Sequence, residues 1–184
     1  MDHKVDSCNR IFNELIDCGC IAATRKIEAS DAWTSFHAGL CTIHYNPKMN
    51  ELDENSIRIS LLHEEGHIRL QYRTFLFLIL LFAILTSIFL TNFNLILKIL
   101  GSVIIIFILG LLFVLIDEYE SDIFASKLLR DKFGISEPSK ILEKALEKMP
   151  SNRFSAYTHP SIQNRMRNIA DNVDKKDSDY SSNN

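Results

Sequence analysis

The sequence predicts an α+β fold that is mostly helical, with a small sheet and an inserted pair of membrane-spanning helices. Three observations support this. Apolar residues recur at helical spacing on both sides of the chain's centre, residues 41–45 alternate as a strand does, and residues 74–116 carry a single charged side chain, Lys98. The average composition, 47% hydrophobic and 23% charged, therefore conceals two segments of very different polarity.

The first elements along the chain are a short helix and a strand. The apolar residues of RIFNELI recur at helical spacing, so we expect an amphipathic helix over residues 9–16. In GLCTIHYNP, residues 41–45 alternate between apolar and polar until Pro47 stops the pattern, which predicts a strand. The next segment, LDENSIRISLLHEEGHIRL, opens with capping residues near Asp53 and continues with an apolar stripe, which predicts a helix.

Residues 74–116 predict a transmembrane hairpin. They supply two apolar spans of about 20 residues each, the length that the hydrocarbon of a bilayer requires. A helix buried in a soluble core should have a polar face, and the run IIIFILGLLFVLI has none. Basic residues flank both outer ends of the hairpin while only Lys98 lies in its turn. We therefore expect an integral protein of the plasma or inner membrane, with both termini cytoplasmic.

The segment after the hairpin, DEYESDIFASKLLRDKFG, predicts a helix that stops at Gly134, and Pro138 opens another. Residues 171–184 are polar and are expected to be disordered. With a net charge of −3 and no dense basic run, nucleic acid is excluded as a partner. The four cysteines follow no zinc or disulfide framework and are expected to be reduced. The N-terminal residues lack the apolar core of a secretory signal, so the first apolar span should direct insertion.

The segment HEEGH carries the pattern HExxH on a predicted helix. Positions four apart emerge from one face a single turn apart, so His63 and His67 can bind one ion. A catalytic zinc takes three protein ligands and leaves one position for water, whose pKa it lowers to about 7. Glu64 can take the proton of that water and pass it to a leaving amine.

The third ligand is expected where the hairpin ends, because His67 lies only about 10 Å along a continuing helix from the apolar block. Four acids stand at that end: Asp117, Glu118, Glu120 and Asp122. Glu118 and Asp122 share a helix face, whereas Glu120 lies about 200° away from Glu118. We therefore predict Glu118 as the third ligand and Asp122 as the acceptor of a hydrogen bond from a ligand imidazole.

Three motifs in order, HEEGH, EYESD and THPSIQNR, with a hairpin between the first two, resemble those of the HtpX-like and CAAX-prenyl-protease-like membrane zinc metalloendopeptidases. The resemblance covers about residues 39–169, and Ser121 replaces the alanine usual in the second motif. It implies a zincin-like domain with one catalytic Zn²⁺ bound by His63, His67 and Glu118, and Glu64 as the base.

The resemblance also implies roles for the third motif. His159 would donate to the oxyanion of the tetrahedral intermediate, with Arg165 as a second donor or organiser. The edge strand of the family, along which a peptide substrate aligns by main-chain hydrogen bonds, would correspond to residues 43–45. His44, on that strand, is expected to be a surface or structural residue rather than a ligand.

These observations predict a membrane-anchored zinc metalloendopeptidase that acts on membrane-associated or misfolded polypeptides. Its catalytic domain would comprise residues 1–73 and 117–170, with the hairpin 74–116 between them and the tail 171–184 after them. The expected partners are a polypeptide substrate and the lipid bilayer, and the oligomeric state is left open.

Two alternatives are weighed against this interpretation. The first is a catalytically inactive zinc-binding membrane scaffold or regulator, against which the intact Glu64 argues. The second is a site-2-type intramembrane protease, which would embed its motif in an apolar span. The charged residues Glu65 and Arg69 next to the motif make burial in lipid costly.

Overall fold

The chain is mostly helical, with a three-stranded sheet and two long apolar helices. The computed structural model describes residues 6–149 and 160–174. The predicted proportions are thereby confirmed: helices dominate, the sheet is small, and two apolar helices follow one another.

The first helix, α1 (Ser7–Asp17), is the amphipathic helix that the spacing predicts. Its N-cap is Asp6, whose side chain accepts a hydrogen bond from the backbone N–H of Asn9 at 3.1 Å. Its apolar face is fully or almost fully buried: Cys8, Ile11, Phe12 and Leu15. Gly19, with φ of +72°, takes the left-handed conformation in the turn that follows.

The sheet contains β1 (Lys26–Ala29), β2 (Phe36–Ala38) and β3 (Thr42–Tyr45) in the order β1-β3-β2. Strand β3 runs parallel to β1 and antiparallel to β2. The expectation that residues 43–45 form the edge strand is therefore wrong, since β3 is the central strand and β2 is an edge. Only β3 alternates clearly, because one of its faces is buried in the core, whereas β1 is mostly exposed.

Helices α2 (Glu54–Leu90) and α3 (Leu95–Phe133) form an antiparallel hairpin. Asp53 caps α2 by accepting a hydrogen bond from the backbone N–H of Ser56 at 3.2 Å, as expected. Helix α3 ends at Gly134, whose φ of +67° is left-handed. Each helix is continuous, so the apolar segments extend directly from the helices that carry HExxH and the four acids.

The apolar parts of α2 and α3 are exposed. Each helix contains an 18-residue window long and apolar enough to cross a membrane, and 0% of the first window and 6% of the second are buried. Phe77 and Phe113 stack across the hairpin with ring centroids 4.6 Å apart. The two helices therefore contact one another without being covered by the rest of the described chain.

The core forms around the first half of α2 and the last third of α3. Helices α4 (Pro138–Lys148) and α5 (Ile162–Ile169) pack against these segments. A π-helical turn at Ala170–Asp174 follows α5, and its Val173 is fully buried. Residues 171–174 are thus helical rather than part of a disordered tail. Val173 is buried in the core, its carbonyl accepts a hydrogen bond from Nη1 of Arg130 at 2.7 Å, and Ser139 donates to Asp174. Residues 175–184 lie outside the described residues.

Candidate metal centre

His63 and His67 stand one turn apart on α2 and face the same side. Their rings are perpendicular, with centroids 4.6 Å apart, and their Nε2 atoms are separated by 3.0 Å. His63 is almost fully buried, and the His67 side chain is 19% exposed. The predicted pairing of the two imidazoles is therefore present in the fold.

Glu118 reaches the same point from α3. Its Oε2 lies 3.7 Å from Nε2 of His63, and its Oε1 lies 3.5 Å from Nε2 of His67. The three residues form a cluster whose ligand atoms all lie within 4.8 Å of one another. Donors around a tetrahedral zinc, with bonds of about 2.0–2.2 Å, stand about 3.4 Å apart. The spacing of the cluster fits such an ion.

Close packing of the two helices makes this approach possible. A Cβ built on Gly66 would lie 3.0 Å from Cα of Ser121 and 3.1 Å from its Cβ. Gly66 lies between the two histidines on α2, and Ser121 lies three residues after Glu118 on α3. The absent side chain at Gly66 therefore allows α3 to come near enough for its carboxylate to meet both imidazoles.

The Nδ1 atom of each histidine is close to a carboxylate of its own. Nδ1 of His67 is hydrogen bonded to Oδ2 of Asp117 at 2.7 Å, with Oγ of Ser121 at 3.2 Å. Nδ1 of His63 lies 2.9 Å from Oδ1 of Asp122, within ion-pair distance although outside hydrogen-bond geometry. With both Nδ1 atoms directed at acids, the two Nε2 atoms converge on Glu118, which suits a shared cation.

Charge at the site also favours a cation. Burial alone would lower the pKa of His67, but hydrogen bonds to Asp117 and Glu118 and the charge of Glu64 raise it to about 10. The surrounding carboxylates thus stabilise a positive charge at the position between them. A divalent ion would supply that charge, and the His₂Glu donor set is one that zinc accepts.

Arg165, on α5, holds the acids in place from behind. Its Nε and Nη2 atoms donate to the two oxygens of Asp122 at 2.7 and 2.6 Å, and its Nη1 lies 3.5 Å from Oε2 of Glu118. Burial would raise the pKa of Asp122. The hydrogen bonds from Arg165 and the proximity of His63 lower that pKa below its ordinary value. Burial would likewise lower the pKa of Arg165, and Asp122 raises it. The two parallel hydrogen bonds between guanidinium and carboxylate are those of a buried ion pair.

A groove of about 800 Å³ runs past the cluster. Glu64, His63, His67 and Glu118 line it on one side. Strand β2 lines it with Phe36, His37 and Ala38, α4 contributes Leu142 and Leu146, and Met149 lines it directly after α4. A bound molecule in this groove would meet the Glu64 carboxylate, the candidate metal site and strand β2 together.

The predicted site residues are placed as follows. His63, Glu64, His67, Glu118 and Arg165 all line the groove, and Asp122 lies behind His63. His159 lies outside the described residues, although Pro160 and Ser161, which follow it, line the groove. His44, on the sheet, lies 3.8 Å from Glu28 and does not line it.

The sequence alone does not single out Asp117, because Asp117 does not share the helix face of Glu118 and Asp122. The antiparallel register of the hairpin holds the signal. Since α3 returns along α2, the histidine nearer the apolar segment, His67, meets the acid nearer to that segment, Asp117, and His63 meets Asp122.

Replacing Gly66 by alanine is expected to reduce the metal content of the purified protein. The new Cβ would contact the backbone of Ser121, so α3 would have to yield by a few tenths of an ångström, more than the roughly 0.2 Å that metal–ligand distances tolerate. Elemental analysis for zinc measures the result. Gly110→Ala is the matched control, since Gly110 on α3 has open space around its Cβ position; equal zinc in both variants would contradict this account.

Comparison with known proteins points to one family. A family model described as peptidase family M48 matches residues 21–173, which include the sheet, both helices of the cluster and α5. No curated protein and no solved structure matches the chain.

Proposed function

The chain belongs to peptidase family M48, the family of HtpX and CAAX prenyl protease zinc metalloproteases, and from this premise we propose that it is a membrane-anchored zinc metalloendopeptidase. Family membership implies zinc metallopeptidase activity. The membrane anchorage, the endopeptidase specificity and the zincin-like arrangement are parts of the proposal. The observation that carries it is the convergence of His63, His67 and Glu118 at a groove that also exposes Glu64.

The proposed metal ligands are His63 and His67 from α2 and Glu118 from α3. A zinc ion held there would polarise the scissile carbonyl and lower the pKa of water to about 7. Asp117 is hydrogen bonded to His67, Asp122 lies against His63, and Arg165 fixes Asp122 and approaches Glu118. The chain's own residues therefore supply a cage in which each ligand is held by a second polar group.

Glu64 is the proposed general base. It follows His63 directly in the sequence and lines the groove without belonging to the cluster of ligand atoms. In this role its carboxylate takes a proton from the attacking water and hands it to the leaving amine, so that the carbonyl carbon–nitrogen bond breaks with charge balanced. By resemblance, His159 would donate a hydrogen bond to the developing oxyanion.

Strand β2 is the proposed substrate-aligning edge. It lies at the edge of the sheet, and all three of its residues line the groove that the HExxH helix also lines. A peptide in extended form can add to such an edge through main-chain hydrogen bonds, which places its backbone across the metal site with little demand on sequence. We therefore propose residues 36–38, rather than residues 43–45, as the strand that aligns the substrate.

The hairpin is the proposed membrane anchor. Its apolar windows are unburied by the described chain, and large exposed apolar surface of this extent marks a membrane or partner interface. Both outer ends carry basic residues, so the catalytic part and both termini are placed on the cytoplasmic side. Because the groove extends to Thr74, where the apolar segment begins, we propose membrane-associated or misfolded polypeptides as substrates.

Elemental analysis of detergent-purified protein tests this function, together with hydrolysis of a labelled unfolded polypeptide. We expect about one zinc per chain, hydrolysis that a chelator stops and added zinc restores, and loss of most of the zinc in Glu118→Ala. Glu120→Gln serves as the control, because Glu120 pairs with Arg73 outside the cluster. Unchanged zinc in Glu118→Ala would reject the third ligand, and zinc-loaded protein that hydrolyses nothing would reject the peptidase.

A further inference from the structure

We propose that Asp117 is a positioning residue that orients His67 for metal binding. The inference rests on the proposed function, because it concerns the same site, and it assigns a role to a residue that belongs to none of the three motifs. Asp117 is the first polar residue after the apolar block and immediately precedes Glu118. It would act through His67 without contacting the ion.

The contact geometry supports this role. Oδ2 of Asp117 lies 2.7 Å from Nδ1 of His67, the length of a hydrogen bond assisted by charge. The other ring nitrogen, Nε2, faces the metal position, 3.5 Å from Oε1 of Glu118. A ring whose Nδ1–H donates to a carboxylate presents its Nε2 lone pair on the opposite side, so this contact selects the tautomer and ring direction that a metal requires.

Ser121 is the competing acceptor and is the weaker one. Its Oγ lies 3.2 Å from the same Nδ1, is neutral, and stands farther away than the Asp117 carboxylate. One ring N–H is directed mainly at one acceptor, and hydrogen bonds to charged groups are roughly twice as strong as neutral ones. Asp117 therefore dominates the orientation of His67.

The need for such a partner follows from the position of His67. The torsion that rotates an imidazole about its Cβ–Cγ bond is broad, and the His67 side chain is more exposed than that of His63, 19% against 11%. His63 is held by burial and by Asp122, which Arg165 fixes in turn. Without Asp117, His67 would be the least constrained of the three ligands.

Zinc affinity of the full-length protein in detergent tests the assignment, measured by competition with a chromophoric chelator. Loss of such a partner typically weakens metal binding by about 10–100-fold. We expect Asp117→Ala to raise the Kd for zinc within that range, and Asp117→Asn to raise it less, since the amide oxygen still accepts a hydrogen bond. Glu120→Gln removes the same charge from the same helix and should leave the Kd near that of wild type.

A second readout separates orientation from general damage. Cobalt in place of zinc reports ligand geometry through its visible absorption, and we expect the bands to shift in Asp117→Ala and to recover in Asp117→Asn, while thermal unfolding of the metal-free variants shows that they fold. Equal zinc affinity in wild type and both Asp117 variants would overturn the inference and leave the proposed function intact. Wild-type protein that binds no zinc would overturn the proposed function itself.

Discussion

Replacing Glu64 by glutamine is expected to lower the turnover number for peptide hydrolysis by about 10²–10⁴-fold, the contribution of a positioned general base. Zinc content should stay at the wild-type level, because Glu64 lines the groove but is not one of the clustered ligand residues. Glutamine keeps the size of the side chain and its hydrogen-bonding capacity. It cannot accept the proton of the attacking water, so only the chemical step is affected.

Steady-state cleavage of a labelled unfolded polypeptide measures this result, with elemental analysis of the same preparations. Glu65→Gln removes the charge of a neighbouring carboxylate and serves for comparison. Glu65 forms ion pairs with Arg25 and Arg69, so this variant reports a structural role. If Glu64→Gln retained full turnover, Glu64 could not be the base. If wild-type protein and Glu64→Gln both held zinc and neither cleaved any substrate, an inactive zinc-binding scaffold would be the better account.

Replacing Arg165 by methionine is expected to lower the free energy of unfolding by about 3–5 kcal/mol, the cost of leaving one charge of a buried pair uncompensated. Asp122 is 1% exposed and Arg165 is 6% exposed, and two hydrogen bonds join them. Without the guanidinium, Asp122 would keep Nδ1 of His63, 2.9 Å away, as a near neighbour.

Thermal unfolding in detergent measures this loss as a fall in Tm of roughly 6–20 °C for a chain of this size. Arg167→Met is the matched control, because Arg167 lies on the same helix and is exposed. The double variant Asp122→Leu with Arg165→Met removes both charges and should recover much of the stability. A Tm for Arg165→Met equal to that of Arg167→Met would refute a structural role for the pair.

Several elements were predictable because one local cause dominates each. The HExxH helix follows from the Asp53 cap and an apolar stripe, both of which the structure contains. Helix α3 ends at Gly134 because only glycine enters the left-handed region without cost. The meeting of Glu118 with the two histidines was predictable for a different reason. A hairpin must return the chain to its starting level, and the first acids after it are then near the motif.

Other features depend on pairing between distant residues, which a single sequence does not display. Strand β2 has only three residues, so its place at the groove comes from its hydrogen bonds to β3. In the sequence, Gly66 is only a residue of low helix propensity. Its role in helix packing is evident only when Ser121 of α3 is seen to lie against it. Asp117 was passed over because its partner is set by the register between two helices. The helical turn at residues 170–174 depends on contacts with distant residues: Val173 is buried in the core, and Arg130 and Ser139 donate hydrogen bonds to Val173 and Asp174.

Because α2 and α3 are continuous helices, a movement of the proposed anchor would be transmitted to the candidate metal site. Two of the candidate ligands lie on α2 and the third lies on α3, and neither helix is broken between its apolar part and the cluster. If α3 slid along α2 by the rise of one residue, about 1.5 Å, the shift would be several times larger than the roughly 0.2 Å that metal–ligand distances tolerate. In the proposed membrane-anchored protein, bilayer thickness and lateral tension would then affect whether the candidate site can bind a metal ion.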